Sequence, residues 1–211
     1  MTKILFQGDS ITDVGRARDN DEQIGRGYPH LIKSVLGFEE GLKFEFVNRG
    51  ISGSRIVDLY ANIKMNIINL KPDVMSILIG VNDVWHELGP NHNGVDADKF
   101  YRIYCMLIEE IKSALPNIKI MIMEPFVLKA SATEKQWDLF SVEVEKRAKI
   151  SKKVAEEFGL TFIPLQEKFN EVSTSISADF WLADGVHPTE AGHELIKREW
   201  LSAFEMLKDK V

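Results

Sequence analysis

Cysteine is almost absent: Cys105 is the single one in 211 residues, which excludes an intramolecular disulfide. It lies in FYRIYCMLIEEI, among apolar positions at helical spacing, where a thiol reads as core rather than as a reactive group. No apolar run approaches the ~20 residues of a membrane span. The opening MTKILFQGDS has too short an apolar run for a secretion signal and no small-residue cleavage site. Lys/Arg-rich runs are missing as well, and the net charge is −6 with a pI of about 5.5. That speaks against nucleic acid or an anionic membrane as partner, since both need clustered positive charge. Repeats, low-complexity tracts and Pro/Gly/Ser linkers are lacking, so one domain over residues 1–211 is expected. These absences together fit a soluble protein of a reducing cytoplasm.

What is present is apolar residue, 45% of the chain, spread along its whole length. Short, nearly continuous hydrophobic runs occur at Lys3–Phe6, Phe44–Val47, Val74–Ile79, Ile118–Met123 and Thr161–Ile163, as in strands covered on both faces. Longer amphipathic stretches separate them: Tyr28–Leu36, Ile56–Leu70, Lys99–Leu115, Glu134–Phe158 and Glu190–Leu207. This alternation predicts an α/β sandwich with a mainly parallel sheet. In such sheets ligands bind beyond the carboxyl ends of the strands, so chemistry is sought in the loops that follow them.

Four of those places hold unusual residues. GDS (Gly8–Ser10) follows the first strand, NRGISGS (Asn48–Ser54) the second and GVND (Gly80–Asp83) the third; ADGVHP (Ala183–Pro188) precedes the last helix. Asp184 and His187 stand three apart, close enough for the carboxylate to accept from Nδ1–H and leave Nε2 free to take a proton. A serine hydroxyl needs such a base before it attacks, and Ser10, between a strand and a helix start, has the exposure that role requires. Oxyanion donors are each worth about 3–4 kcal/mol in acyl transfer. Candidates are the N–H of Gly53, the side-chain amide of Asn82, and the N–H of Ser10 itself at a helix N-terminus. Each residue also has a plain structural reading: Ser10 as a helix cap, Gly53 in a turn, Asn82 capping a helix that begins near Val84, His187 bonded in a loop. Their joint placement after successive strands favours chemistry.

Gly8-Asp9-Ser10, Gly53, Gly80-x-Asn82-Asp83 and Asp184-x-x-His187-Pro resemble the four blocks of the SGNH (GDSL-type) esterases, in that family's order and over nearly the whole chain. The resemblance implies a three-layer α/β/α sandwich around a five-stranded parallel sheet, flavodoxin-like in form. It implies Ser10 as nucleophile, Gly53 and Asn82 as oxyanion donors, His187 as base and Asp184 as its orienter, with no cofactor and no metal. The longer stretches GDSITDVGRARD, NRGISGSRIVDL, GVNDVWHE and DGVHPTEAGHE look most similar to intracellular bacterial carbohydrate acetylesterases of the xylan acetylesterase branch. That implies an acetylated sugar as substrate; another short-chain acyl ester or thioester is the alternative.

Ser52 and Ser54 are rival serines, but neither occupies a G-x-S-x-G elbow, because Ser54 stands where the second glycine would be. Asp9 reads as a loop-bonding residue and, second, as a group facing substrate. Trp85 and Trp181 flank the Asn82 and Asp184 blocks and are candidate platforms for a sugar ring. Metal hydrolysis through Asp184, His187 and His193 lacks any HxH or HExxH pair. A non-catalytic flavodoxin-like binding module fits the alternation too, but the two acids of GDSITD would repel the phosphate such a module cradles. Trp137 and Trp181 are candidate interface aromatics in a homo-oligomer. Activity is expected to fall at acid pH near the ordinary histidine pKa of about 6.5.

Overall fold

Successive residues of a strand point to opposite faces of its sheet, and here both faces are apolar. In β1 (Thr2–Gly8), Ile4 and Phe6 enter one buried cluster and Leu5 the other. In β3 (Val74–Leu78), Val74 and Leu78 face the first cluster, Met75 and Ile77 the second. β4 (Lys119–Met123) divides Met121 and Met123 from Ile120 and Ile122 in the same way. With β2 (Phe44–Asn48) and β5 (Thr161–Ile163) they form one five-stranded sheet of order β2-β1-β3-β4-β5, each neighbouring pair parallel. A sheet apolar on both sides has to be covered on both.

The computed structural model describes residues 1–208. Its helices are α1 (Ser10–Asp13), α2 (Tyr28–Glu40), α3 (Ile56–Ala61), α4 (Ile63–Asn66), α5 (Val81–Leu88), α6 (Ala97–Ala114), α7 (Trp137–Phe158), α8 (Gln166–Ser173), α9 (Ala178–Trp181) and α10 (Glu190–Lys208). α2 and α10 pack on each other over the first cluster, burying Tyr28, Ile32, Leu36, Ile196, Trp200 and Phe204. α3, α6 and the C-terminal half of α7 cover the second, through Leu59, Phe100, Tyr104, Leu107, Ile111 and Val154. The result is the α/β/α sandwich expected from the sequence. Among the described residues no helix is long and apolar enough to cross a membrane.

Three stretches differ from the expectation. The stretch Ile56–Leu70 is not one helix: Asn62 leaves helical geometry (φ −106°, ψ 14°) and its side-chain amide donates to the carbonyl of Asp58, ending α3. Such local side-chain bonds compete with helix continuation. α5 begins at Val81 rather than near Val84, with Gly80 at φ +133° as its N-cap. α8 and α9 lie in a segment with no expected helix.

Strand order reverses between β1 and β3, so the loops after these two strands diverge and leave a crevice at the carboxyl edge of the sheet. Ser10 and Asn82 stand on its two sides.

Candidate active site

Ser10 is the first residue of α1, not its cap. The cap is Asp9, whose Oδ1 accepts the N–H of Ile11 at 2.9 Å. The helix is a single turn, closed by Val14 in the left-handed region (φ 33°). Its dipole is therefore that of one turn, and what Ser10 gains locally is a backbone N–H with no protein acceptor among the described residues. Asp9, the residue proposed from sequence to face substrate, is only 1% exposed. It is a buried cap and does not reach solvent, which corrects that expectation.

The loop after β2 is locked to α1. Asn48 donates to the carbonyls of Thr12 and Ile24 (2.7 and 2.9 Å) and accepts the N–H of Gly50 (2.8 Å). Asp13 Oδ2 accepts both the N–H and the hydroxyl of Ser52 (3.0 and 2.9 Å), and Arg18 pairs with the same oxygen. Gly53 follows with φ +81°, a conformation that favours glycine. On the other side of the crevice, Asn82 donates to the carbonyl of Ser54 at 3.2 Å, and buried Asp83 accepts the N–H of Ile56 at 3.0 Å. Gly53 is thus held between α1 and α5, with its own N–H unpaired among the described residues.

The loop before α10 brings in the base. His187 Nε2 lies 2.9 Å from Ser10 Oγ, and Nδ1 lies 2.7 Å from Asp184 Oδ2. Asp184 Oδ1 accepts the backbone N–H groups of Val186 and His187 (2.9 and 2.8 Å). The whole loop is pinned to the segment after β4. Leu128 donates to the Gly185 carbonyl and Ala132 to that of Asp184 (2.9 and 3.0 Å). Gly185, at φ +98°, leaves no room for a Cβ beside the Leu128 carbonyl and Thr133.

Burial sets the electrostatics. Desolvation would raise the Asp184 carboxyl, but the bonds from His187 and the two backbone donors outweigh it and bring it to about 2. The same bond to Asp184 raises His187 above its ordinary value. The acid limb expected near 6.5 therefore moves upward. Burial lifts Asp9 to about 7, against the bond from Ile11 and the nearby His187. A serine hydroxyl bonded to a basic imidazole that a carboxylate holds can serve as the nucleophile of acyl transfer, with Gly53 and Asn82, on the loops after β2 and β3, as the candidate oxyanion donors.

Trp85, from α5, packs against Phe140 and lies 5.8 Å from His187 between ring centroids. It lines a shallow cleft of about 380 Å³ together with Asn82, His86 and the turn that follows α5. Trp181 does not join that cleft. Its ring contacts Phe180 and lines a separate groove formed with α8 and α10, so its candidacy as a platform at the serine is corrected. His193 is buried in α10, its Nδ1 accepting the N–H of Tyr28 at 3.2 Å. Among the described residues no three His, Cys, Asp or Glu side chains are grouped to hold a metal.

Residues 6–195 match the model of the GDSL-like Lipase/Acylhydrolase family. The chain belongs to this family. An acetylxylan esterase of Geobacillus stearothermophilus is 33% identical over 99% of this chain and 97% of that protein. The crystal structure of Axe2, an acetylxylan esterase from Geobacillus stearothermophilus, superposes with a TM-score of 0.85 at 33% identity, over 96% of this chain and 93% of that one. A candidate GDSL-like lipase from Parabacteroides merdae gives a TM-score of 0.88 at 36% identity, over 97% and 96% of the two chains. The protein is a carboxylic ester hydrolase with the α/β fold of these relatives.

Some of the esterase's supporting residues carried no signal in one sequence. Asp13, Asn48, Asp83 and Thr133 are polar residues 3% exposed or less; the first three tie separate loops together, and Thr133 holds its own turn through Leu128 and Ala130. Asn48 and Asp83 stand inside two of the four blocks and Asp13 just beyond another, but the partners they bind lie up to 39 residues away in sequence, and nothing in the sequence marks Thr133.

Proposed function

We propose that the chain is a serine esterase that removes acetyl groups from a carbohydrate, with Ser10, His187 and Asp184 as its catalytic residues. The observation that carries this reading is the unbroken hydrogen-bond chain from Ser10 Oγ through both ring nitrogens of His187 to Asp184. Related acetylxylan esterase structures add support: their catalytic mutants replace a serine, and an aspartate and a histidine three positions apart.

His187 Nε2 takes the Ser10 proton as Oγ attacks the ester carbonyl. The carbonyl oxygen becomes an oxyanion against the N–H groups of Ser10 and Gly53 and the amide of Asn82. Asp184 keeps the ring proton on Nδ1 and stabilises the imidazolium. His187 then passes its proton to the departing alcohol oxygen, the C–O bond breaks, and an acetyl group remains on Ser10. A water, deprotonated by the same nitrogen, repeats the attack and releases acetate and the free serine. No step calls on a cofactor.

The acetyl-carbohydrate assignment draws on the acetylxylan esterase relative and on a cleft lined by amides and by the Trp85 ring, which stands 5.8 Å from His187. A substrate panel tests it. Acetylated xylo-oligosaccharides should be hydrolysed with a higher kcat/KM than butyrate or longer-chain esters, and Ser10→Ala should abolish both. A preference for long acyl chains would overturn the substrate; activity in Ser10→Ala would overturn the mechanism.

A further inference from the structure

The cleft beyond Asn82 has a feature that acyl transfer itself does not use. Its wall is the turn Gly89–Asn93, which is firmly tethered. The Gly89 N–H donates to the Trp85 carbonyl (3.0 Å), the Asn93 N–H to the His86 carbonyl (3.3 Å) and the Gly94 N–H to Glu87 Oε2 (3.1 Å). The guanidinium of Arg55 closes on the carbonyl of Asn93. These bonds all consume backbone groups. The side-chain amides of Asn91 and Asn93 have no partner among the described residues, and both residues line the cleft with His86 and Trp85. His86 lies against Gly53, its Cε1 and Nε2 3.9 Å from where a Cβ would sit. Burial and the neighbouring Arg55 hold its pKa below the ordinary value, so at neutral pH the ring both donates and accepts.

Two considerations orient this cleft relative to the reaction. An acetyl group has two carbons, and about 380 Å³ is far too much space for it. Trp85 also bridges the cleft to His187, 5.8 Å away, and His187 must stand beside the oxygen that leaves. The cleft is therefore on the alcohol side. Its chemistry is that of a neutral polyhydroxylated ligand: one flat apolar ring, two free amides and a neutral imidazole, with no uncompensated charge directed at it.

We infer that Trp85, His86, Asn91 and Asn93 form a leaving-group subsite that binds the glycosyl ring next to the acetylated one, with Asn91 and Asn93 as its specificity-determining residues. This rests on the carbohydrate-ester reading above, and the two can fail separately.

The experiment compares kcat/KM for acetylated xylotriose and for p-nitrophenyl acetate in the wild type, in Asn91→Ala/Asn93→Ala and in His86→Ala. Both asparagines are exposed and, among the described residues, bonded to nothing through their side chains, so the double variant folds; an unchanged Tm checks this. The ratio of the two kcat/KM values should fall by about tenfold in the double variant, the loss of two neutral hydrogen bonds to substrate. Binding of unacetylated xylotriose to Ser10→Ala should weaken by a similar factor when Asn91 and Asn93 are also removed. A ratio within twofold of the wild type, with the wild type active on both substrates, overturns the subsite alone. A wild type active on p-nitrophenyl acetate and inert to acetylated xylotriose overturns the substrate class and the subsite with it.

Discussion

Asp184 offers a perturbation whose effects on activity and on stability run in opposite orders. Its Oδ1 accepts two backbone N–H groups and its Oδ2 accepts from His187 Nδ1. In Asp184→Asn only one oxygen remains, and the two backbone donors of Val186 and His187 fix it at the Oδ1 position. The amide NH2 then faces Nδ1, which can accept only if it carries no proton. The ring proton moves to Nε2, the nitrogen 2.9 Å from Ser10 Oγ, and the base is lost. A wrong tautomer of this kind costs about 10⁴ in kcat, or ~5.5 kcal/mol. Stability changes little, because the loop keeps its two bonds. Asp184→Ala does the reverse. The ring is free to hold its proton on either nitrogen, so kcat falls by about 10²–10³. Two backbone donors lose their partner, at about 1–3 kcal/mol each where water cannot replace it. Steady-state hydrolysis of p-nitrophenyl acetate at pH 8 and urea denaturation of the same samples measure both. An Asp184→Asn enzyme within tenfold of the wild type, or more active than Asp184→Ala, would show that the His187 tautomer does not govern the rate.

Other outcomes follow from the same geometry. Because Asp184 raises His187, the acid limb of kcat/KM should have its midpoint above 6.5, and Asp184→Ala should move it down; a wild-type midpoint below 6 contradicts this. Asp83 is raised by burial to about 7, so the folded state holds a proton that the unfolded chain releases above about pH 4. Stability contributed by this site should rise as pH falls from 7 towards 4, and the ionised carboxylate costs on the order of 4 kcal/mol above pH 7. Asp83→Asn should therefore raise Tm more at pH 9 than at pH 5, and an equal shift at both would sink the idea. Asp13→Ala removes the anchor for Ser52 and loosens Gly53; kcat should drop about tenfold with KM nearly constant, and adding Ser52→Ala should cost little more. Gly53→Ala meets no atom closer than 3.9 Å, so its cost of about 1–2 kcal/mol should come from a left-handed φ alone.

The strands were legible because a sheet covered on both faces writes itself as short, unbroken apolar runs, and only the ends of those runs moved by a residue or two. Ser10, Asp184 and His187 were legible because the chemistry restricts their types and because each block follows an expected element. What one sequence does not contain is the pairing of distant polar groups. Asp9 offered a carboxylate next to the serine, and only burial distinguishes a cap from a substrate contact. Trp85 and Trp181 both flank a block, Trp85 favoured by its closeness to Asn82; α5 turns it towards His187, while α9 turns Trp181 into a groove against α10. The interruption of Ile56–Leu70 depended on Asn62 bonding its own helix, a choice decided by neighbours rather than by periodicity.

The proposed mechanism requires that Ser10 Oγ be the nucleophile that becomes acylated. Treating the protein with a serine-directed fluorophosphonate, then mapping the modified peptide by mass spectrometry, tests it directly. One adduct per chain is expected, on the peptide carrying Ser10, with loss of p-nitrophenyl acetate hydrolysis in proportion to labelling and no adduct in Ser10→Ala. An adduct on Ser52 or Ser54, or full labelling of Ser10 that leaves hydrolysis intact, would contradict the account.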